Sequence, residues 1–262
     1  MYFFYLLAAI LPAVVLVLYA YKQDQFPEPP RIVFKTFLFG CATVLAINLI
    51  IPVLDNYNEE FFSGETYYFF DSFIRAAFVE EFFKACVIIF YCTRKTAFDE
   101  PMDGVIYGIA ASLGFAAYEN ISYVLYFEKV PSFDIALVRA FTAIPMHALC
   151  GVVMGFLISQ SIFENKHNYL NLFLALFIPV GIHGLYNYSF SSSVISYQIA
   201  YFLLLVFSIR AYLIFKNLKL RQKQSIIFNK RYYNISLSNF INISVNTIII
   251  FLVFNYLIYL VI

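Results

Sequence analysis

The stretch FDSFIRAAFVEEFFKACVIIFY, Phe70–Tyr91, decides the fold. It is long enough to cross a bilayer as a helix, yet Glu80, Glu81 and Lys84 stand in its middle. On insertion scales each charge at the centre of a membrane helix costs about 2.5 to 3.5 kcal/mol, whereas each Leu, Ile, Phe or Val returns only about 0.3 to 0.6. The eleven such apolar residues of this stretch supply roughly 3 to 7 kcal/mol, less than the three charges cost. The segment therefore rests in a membrane only if neighbouring helices, water or protonation satisfy those groups. Intramembrane charges of this kind mark functional sites, so their partners should lie on other helices.

Composition supports a membrane protein independently. Of the 262 residues, 62% are hydrophobic and only 13% charged, and the mean hydropathy is +0.78; a soluble domain would be about 25% charged. With no long polar tract, residues 1–262 read as a single integral-membrane domain. A net charge of +1 points to no particular partner, and no nucleic-acid partner is expected. Cys41, Cys86, Cys92 and Cys150 are scattered without a CxxC pair, which argues against a disulfide framework or a thiolate metal site. The start of the chain lacks a basic region and a small-residue cleavage site, so the first span is expected to be retained rather than removed as a signal peptide.

Apolar runs predict an all-α, polytopic transmembrane bundle of about eight spans, near residues 2–21, 33–54, 68–91, 104–127, 136–159, 170–189, 194–215 and 241–262. The connections alternate in charge. Lys22, Arg31 and Lys35 follow the first span, whereas the next loop carries Asp55, Glu59, Glu60 and Glu65 without a basic residue. Arg94 and Lys95, then Lys166, then the run from Arg210 to Arg231 that includes Lys223 and Lys230, mark the other inner loops. The positive-inside rule thus predicts both termini outside, with the basic run acting as an orientation signal on anionic inner-leaflet lipid.

Several spans carry polar groups that could meet Glu80 and Glu81. Glu80 and Lys84 share a helix face, while Glu81 lies about 100° around. The fourth span has Gly104, Gly108, Ser112, Ala116 and Asn120 at fourfold spacing, a small and polar stripe suited to close helix packing, with Glu119 beside it. The fifth has His147, Gly151 and Gly155 on one face with Arg139 two turns earlier, and the sixth has His183 and Asn187 one turn apart. At 1.5 Å per residue, Glu80, Glu119, His147 and His183 lie roughly 18, 12, 16 and 9 Å from the outer interface. Four helices can thus build one water-reached pocket in the outer half of the membrane. Other polar residues have plainer readings: Asp103 as a helix N-cap, Arg139 as an interfacial side chain reaching for headgroups, Asp71 with Arg75 as a surface pair, and His167 as an inert loop residue.

In chain order the motifs are EExxK at Glu80 to Lys84, FxxxEN at Phe115 to Asn120, HxxxG at His147 to Gly151 and HGxxN at His183 to Asn187. This arrangement resembles the PrsW family of bacterial intramembrane proteases and, more distantly, the CAAX prenyl protease and bacteriocin-immunity superfamily, over roughly residues 68–190. The resemblance implies a multi-pass protein of the bacterial cell membrane. Its activity would be hydrolysis of a peptide bond in a membrane-anchored substrate, typically a single-span anti-sigma factor cut on its extracytoplasmic side. It carries catalytic candidacy to Glu80, Glu81, His147 and His183, with Glu119, Asn120 and Asn187 in support.

The chemistry of the residues agrees with hydrolysis. Glu80 or Glu81 can serve as general base for water, His147 and the Asn187 amide can stabilise an oxyanion, Lys84 can hold one glutamate ionised, and His183 can orient or protonate. Two histidines and one glutamate could instead ligate zinc, with the second glutamate as base. The HExxH spacing is absent and each ligand would come from a different span, so the sequence favours no cofactor and leaves zinc open. Two other classes stay open as well. One is an ion- or proton-coupled transporter, since such residues also build relays, although no inverted repeat is evident. The other is a non-catalytic scaffold or immunity protein with a polar packing core.

Overall fold

Backbone amides in hydrocarbon must be paired within their own segment or a closed sheet, and among the described residues every regular element is helical. The computed structural model describes residues 2–126, 132–164, 168–224 and 236–261. Lys166, His167, Lys230 and Arg231, which the charge pattern assigns to loops, lie outside the described residues. The elements are α1 (Tyr2–Tyr21), α2 (Pro30–Phe61), α3 (Gly64–Phe70), a π-helical stretch (Asp71–Phe78), α4 (Val79–Val87), a π-helical end (Ile88–Cys92), α5 (Pro101–Tyr126), α6 (Phe133–Phe141), α7 (Ala143–Phe163), α8 (Asn168–Ser191), α9 (Gln198–Lys223) and α10 (Leu237–Val261). Since Gly64 to Cys92 is continuous and α6 meets α7 at Thr142, these form eight rods that match the eight expected spans.

Six of the rods are long and apolar enough to cross a membrane. The other two are the charged Gly64–Cys92 rod and α5. The first owes this to its glutamates and lysine. The second is buried from Pro101 to Ala117, so it faces protein rather than lipid and needs no apolar exterior. The outer members are the reverse: α9 buries only Ala200, Leu218 and Gln222.

The two ends of the bundle separate as the charge alternation predicts. At one end Lys219 Nζ donates to Gln23 at 2.5 Å, Arg221 pairs with Glu164, and Gln222 bonds Asp24 and Glu100. At the other end Glu65 accepts from Tyr188, Ser192 and Ser193, and Arg75 pairs with Asp55 at 2.5 Å as well as with Asp71 at 3.4 Å. Phe240 packs on Phe90 and Phe251 on Phe73, so α10 runs towards the Glu65 end. Asp103 is not the N-cap of α5 but its third residue. Its Oδ2 reaches back to the backbone N–H of Asp99 and Glu100, both at 2.7 Å, in the manner of the acid in a capping box.

The stripe on α5 does close the central packing, and on two sides. A Cβ on Gly108 would lie 2.2 Å from the Gly151 carbonyl oxygen of α7, and one on Gly155 would lie 1.9 Å from the Gly104 oxygen. On the opposite face a Cβ on Gly114 would lie 2.0 Å from the Phe37 oxygen of α2. Helix backbones thus touch directly, which is how membrane helices associate when lipid and side chain are equally apolar. Gly108→Ala should therefore push α5 from α7 and destabilise the protein by on the order of 1 to 3 kcal/mol. Gly181→Ala, where a Cβ meets nothing within 4 Å, should leave the melting temperature in detergent unchanged or raised; equal effects of the two would contradict this packing.

Candidate active site

Two departures from ideal helix and one close glycine contact place the polar side chains. Glu80 and Glu81 open α4 directly after the π-helical Asp71–Phe78, and wide turns of this sort are frequent at functional sites because they re-aim the side chains of the next turn. The Phe73 ring in that stretch lies against α8, where a Cβ on Gly184 would come within 2.3 Å of it. Gly184 thus lets His183 approach the glutamates. The second departure is the break at Thr142, φ −125° and ψ −78°. Pro145 lacks an N–H for the preceding turn and crowds it, and the Thr142 hydroxyl instead donates to the Val138 oxygen at 2.8 Å. This corrects the continuous span 136–159: Arg139 and His147 belong to different helices and share no periodic face.

Lys84 Nζ, with no exposed side-chain surface, is the hub. It donates to Glu81 Oε1 at 2.8 Å and to Glu80 Oε2 at 3.5 Å, and it lies 3.0 Å from His147 Nδ1. The expected Glu80–Lys84 pairing is therefore the looser of the two. Phe115 covers the ammonium with its ring centroid 4.1 Å away, which gives the first position of FxxxEN a cation–π role. An ammonium only donates, so His147 Nδ1 must accept, and its Nε2–H then donates to Glu119 Oε2 at 3.1 Å. Glu119 Oε2 also receives Arg139 Nη2 at 2.5 Å. His183 bonds Glu81 Oε1 through Nδ1 at 2.9 Å, which makes Nδ1 the protonated nitrogen and leaves the Nε2 lone pair 3.8 Å from Glu80 Oε2.

These groups do not share one exposure. A cavity of about 930 Å³ is lined by Glu80, Glu119, Arg139, His147, His183 and Asn187 among others, whereas Glu81 and Lys84 lie behind it. Of the adjacent pair, Glu80 is thus the glutamate on the cavity wall, and Glu81 its buried anchor.

Of the expected catalytic residues, Glu80, His147 and His183 meet at this wall with Glu119 and Asn187, while Glu81 and Lys84 lie behind it, bonded to His183 and His147 respectively. Asn120 stands apart from the glutamates: its amide donates to the Ala9 oxygen at 2.7 Å and its carbonyl accepts Arg139 Nε at 2.8 Å, so it tethers α1 and aims Arg139. Arg139, read from sequence as reaching for headgroups, is instead bound to Glu119 and Asn120 and stacked 3.9 Å from the Tyr123 ring. Its position two turns before His147 was the available signal, but the interposed helix break concealed its meaning.

Ligand-type atoms of Glu80, Glu81, His147 and His183 lie within 4.8 Å of one another. Glu81 Oε2 is buried without a hydrogen-bond partner, so one carboxylate oxygen of this set is free to take a cation. Two imidazoles with carboxylates are the donors zinc prefers. The carboxylates Glu80 and Glu81 face Lys84, Glu119 faces Arg139, and Arg75 on the same cavity wall is paired with Asp55 and Asp71.

Residues 28–212 match the family described as PrsW family intramembrane metalloprotease. The chain is 36% identical over 183 residues to the protein named Protease PrsW of Bacillus subtilis strain 168, covering 69% of this chain and 80% of that relative. It is 35% identical over 182 residues to Protease PrsW of Geobacillus kaustophilus, covering 69% and 77%. It is 32% identical over 206 residues to Protease PrsW of Clostridioides difficile, covering 78% and 84%. No solved structure matches the chain. The transporter and scaffold readings give way to a protease, and the match extends beyond the motif-bearing core into α2 and α9. With its helices, its motifs and its relatives in agreement, this chain is a multi-pass membrane protein that belongs to the PrsW family of intramembrane proteases.

Proposed function

We propose that the chain cuts a single-span protein of the bacterial cytoplasmic membrane, an anti-sigma factor or a protein of that kind, with Glu80 as general base. The observation that carries this reading is the division of the glutamate pair: Glu80 faces the cavity while Glu81 is held behind it by Lys84 and His183. A water between Glu80 and the His183 Nε2 lone pair gives its proton to Glu80 as its oxygen attacks the scissile carbonyl carbon. Arg139 and the Asn187 amide, both on the cavity wall, stabilise the oxyanion. The C–N bond then breaks, and Glu80 returns the proton to the departing amine. His147 is held as the Nε2–H tautomer by Lys84 on one side and Glu119 on the other, which fixes Glu119 and through it Arg139.

The family's description as metalloproteases joins the fit of the donor set to support a divalent ion held by Glu81, His147 and His183. Bound there, zinc would supply Lewis-acid polarisation of the carbonyl and of the attacking water. Glu81 Oε2 is open to such an ion, but Lys84 already occupies His147 Nδ1, so ion and ammonium compete for that nitrogen.

Activity can be measured as cleavage of a tagged single-span substrate co-reconstituted in liposomes, with products mapped by mass spectrometry. Glu80→Gln should lower the rate about 100-fold to 10,000-fold at unchanged expression; full activity in that variant would overturn the assignment of the base. Chelation should remove activity and zinc restore it, with about one ion per chain that is lost in His147→Ala and in His183→Ala. Chelator-resistant cleavage by metal-free protein would instead leave Glu80 acting alone. Lys84→Met should destabilise by about 3 to 5 kcal/mol, because Glu81 keeps a buried, unpaired charge. Adding Glu81→Gln should recover much of that loss, and a double variant no better than the single one would refute the pairing.

A further inference from the structure

A second group of acids lies at the other end of the bundle, among the residues that the charge pattern places in the cytoplasm. Asp24 and Glu28 come from the α1–α2 connection, Glu100 precedes α5, Asp103 lies in its first turn, and Gln222 ends α9. All five are at least nine-tenths buried, between 0% and 9% exposed. Ligand-type oxygens of Asp24, Glu100 and Asp103 lie within 4.8 Å of one another. The bonds that hold these side chains leave oxygens over. Asp24 Oδ1 accepts the Phe26 N–H at 2.9 Å and Gln222 Nε2 at 2.6 Å, and Gln222 Nε2 also donates to Glu100 Oε1. Asp103 Oδ2 accepts two backbone N–H groups, and Tyr107 donates to Glu28 Oε2. Asp24 Oδ2 and Asp103 Oδ1 are buried with no hydrogen-bond partner.

A buried carboxylate oxygen without a partner, such as Asp24 Oδ2, is unfavourable among neighbouring acids unless a positive charge joins it. We propose that Asp24, Glu100 and Asp103 bind a hard divalent cation, Mg²⁺ or Ca²⁺, that fastens the α1–α2 connection to the start of α5. The donors are all oxygen, with no imidazole or thiolate, which selects these ions over zinc and separates this site from the histidine-bearing one. Asp103 and Glu28 lie within side-chain hydrogen-bonding reach of each other. The rival way to neutralise the cluster is thus a shared proton, and the two make different demands on solution conditions.

The test uses the full chain, purified in detergent, stripped with chelator and titrated separately with MgCl₂, CaCl₂ and ZnCl₂ at pH 7.5. Either hard ion should raise the melting temperature saturably, by about 5 °C or more at hundredfold excess over its dissociation constant. The response to Mg²⁺ or Ca²⁺ should survive Glu81→Gln and vanish in Asp24→Asn/Glu100→Gln, while any zinc response behaves in the opposite way. The size of the Mg²⁺ and Ca²⁺ shifts tells which of the two ions the site prefers. No response to either, or one that persists in Asp24→Asn/Glu100→Gln, would overturn the proposal in favour of proton sharing. Should that variant fail to fold, Tb³⁺ luminescence excited through tyrosine in a Glu81→Gln background decides: a saturable signal displaced by Ca²⁺ or Mg²⁺ is expected, and its absence overturns the site. None of these readings depends on proteolysis, so failure here leaves the active-site assignment untouched.

Discussion

An ammonium without exposed surface governs the architecture. Lys84 gives up its water on burial, a loss that a single partner in a low-dielectric interior does not reliably offset. The chain answers with two glutamates on its own helix, an imidazole from α7 and the ring of Phe115 from α5. Glu81 then draws in His183 of α8. Four rods must therefore meet at one depth before any of these charges is tolerable, so the cost of burial itself enforces the meeting of distant parts of the sequence.

That meeting requires helices to come closer than ordinary side chains permit. Glycines on α5 and α7 set backbone against backbone, and α2 closes on the other side of α5 through Gly40 and Gly114. Around this trio the remaining rods can be loosely held and lipid-facing, as the exposed flank of α9 shows. Two of the three, α5 and α7, also carry Glu119 and His147, so the tight part of the molecule adjoins the charged part.

Much of this could be read from the chain alone, since hydropathy located the rods and charge alternation sorted their ends. The fourfold stripe on α5 announced close packing, and the cost of Glu80, Glu81 and Lys84 announced a site. What could not be read were the departures from helical periodicity. No spacing rule marks the π-helical Asp71–Phe78, and the Thr142 break depends on Pro145 being resolved locally by a hydroxyl bond. Arg139 was misjudged because its partners, Glu119 and Asn120, lie on another helix, a contact that no spacing within its own helix announces. Asn120 lay in the right motif, but whether an amide faces a cavity or a neighbouring helix is decided by tertiary packing.

The central trio also has a mechanical consequence. Where helices touch through backbone, no side-chain rotamer can absorb a displacement, so α2, α5 and α7 must move as one body. Asp103 and Glu119 sit on the same helix about 24 Å apart, joined by this incompressible stretch. A tilt imposed at the Asp103 end therefore reaches Glu119 and the guanidinium it holds through backbone contacts rather than through side chains that could rearrange. The glycine contacts thus act as a stiff fulcrum that couples the Asp103 end of α5 to the cleft at Glu119 through backbone rather than side chains.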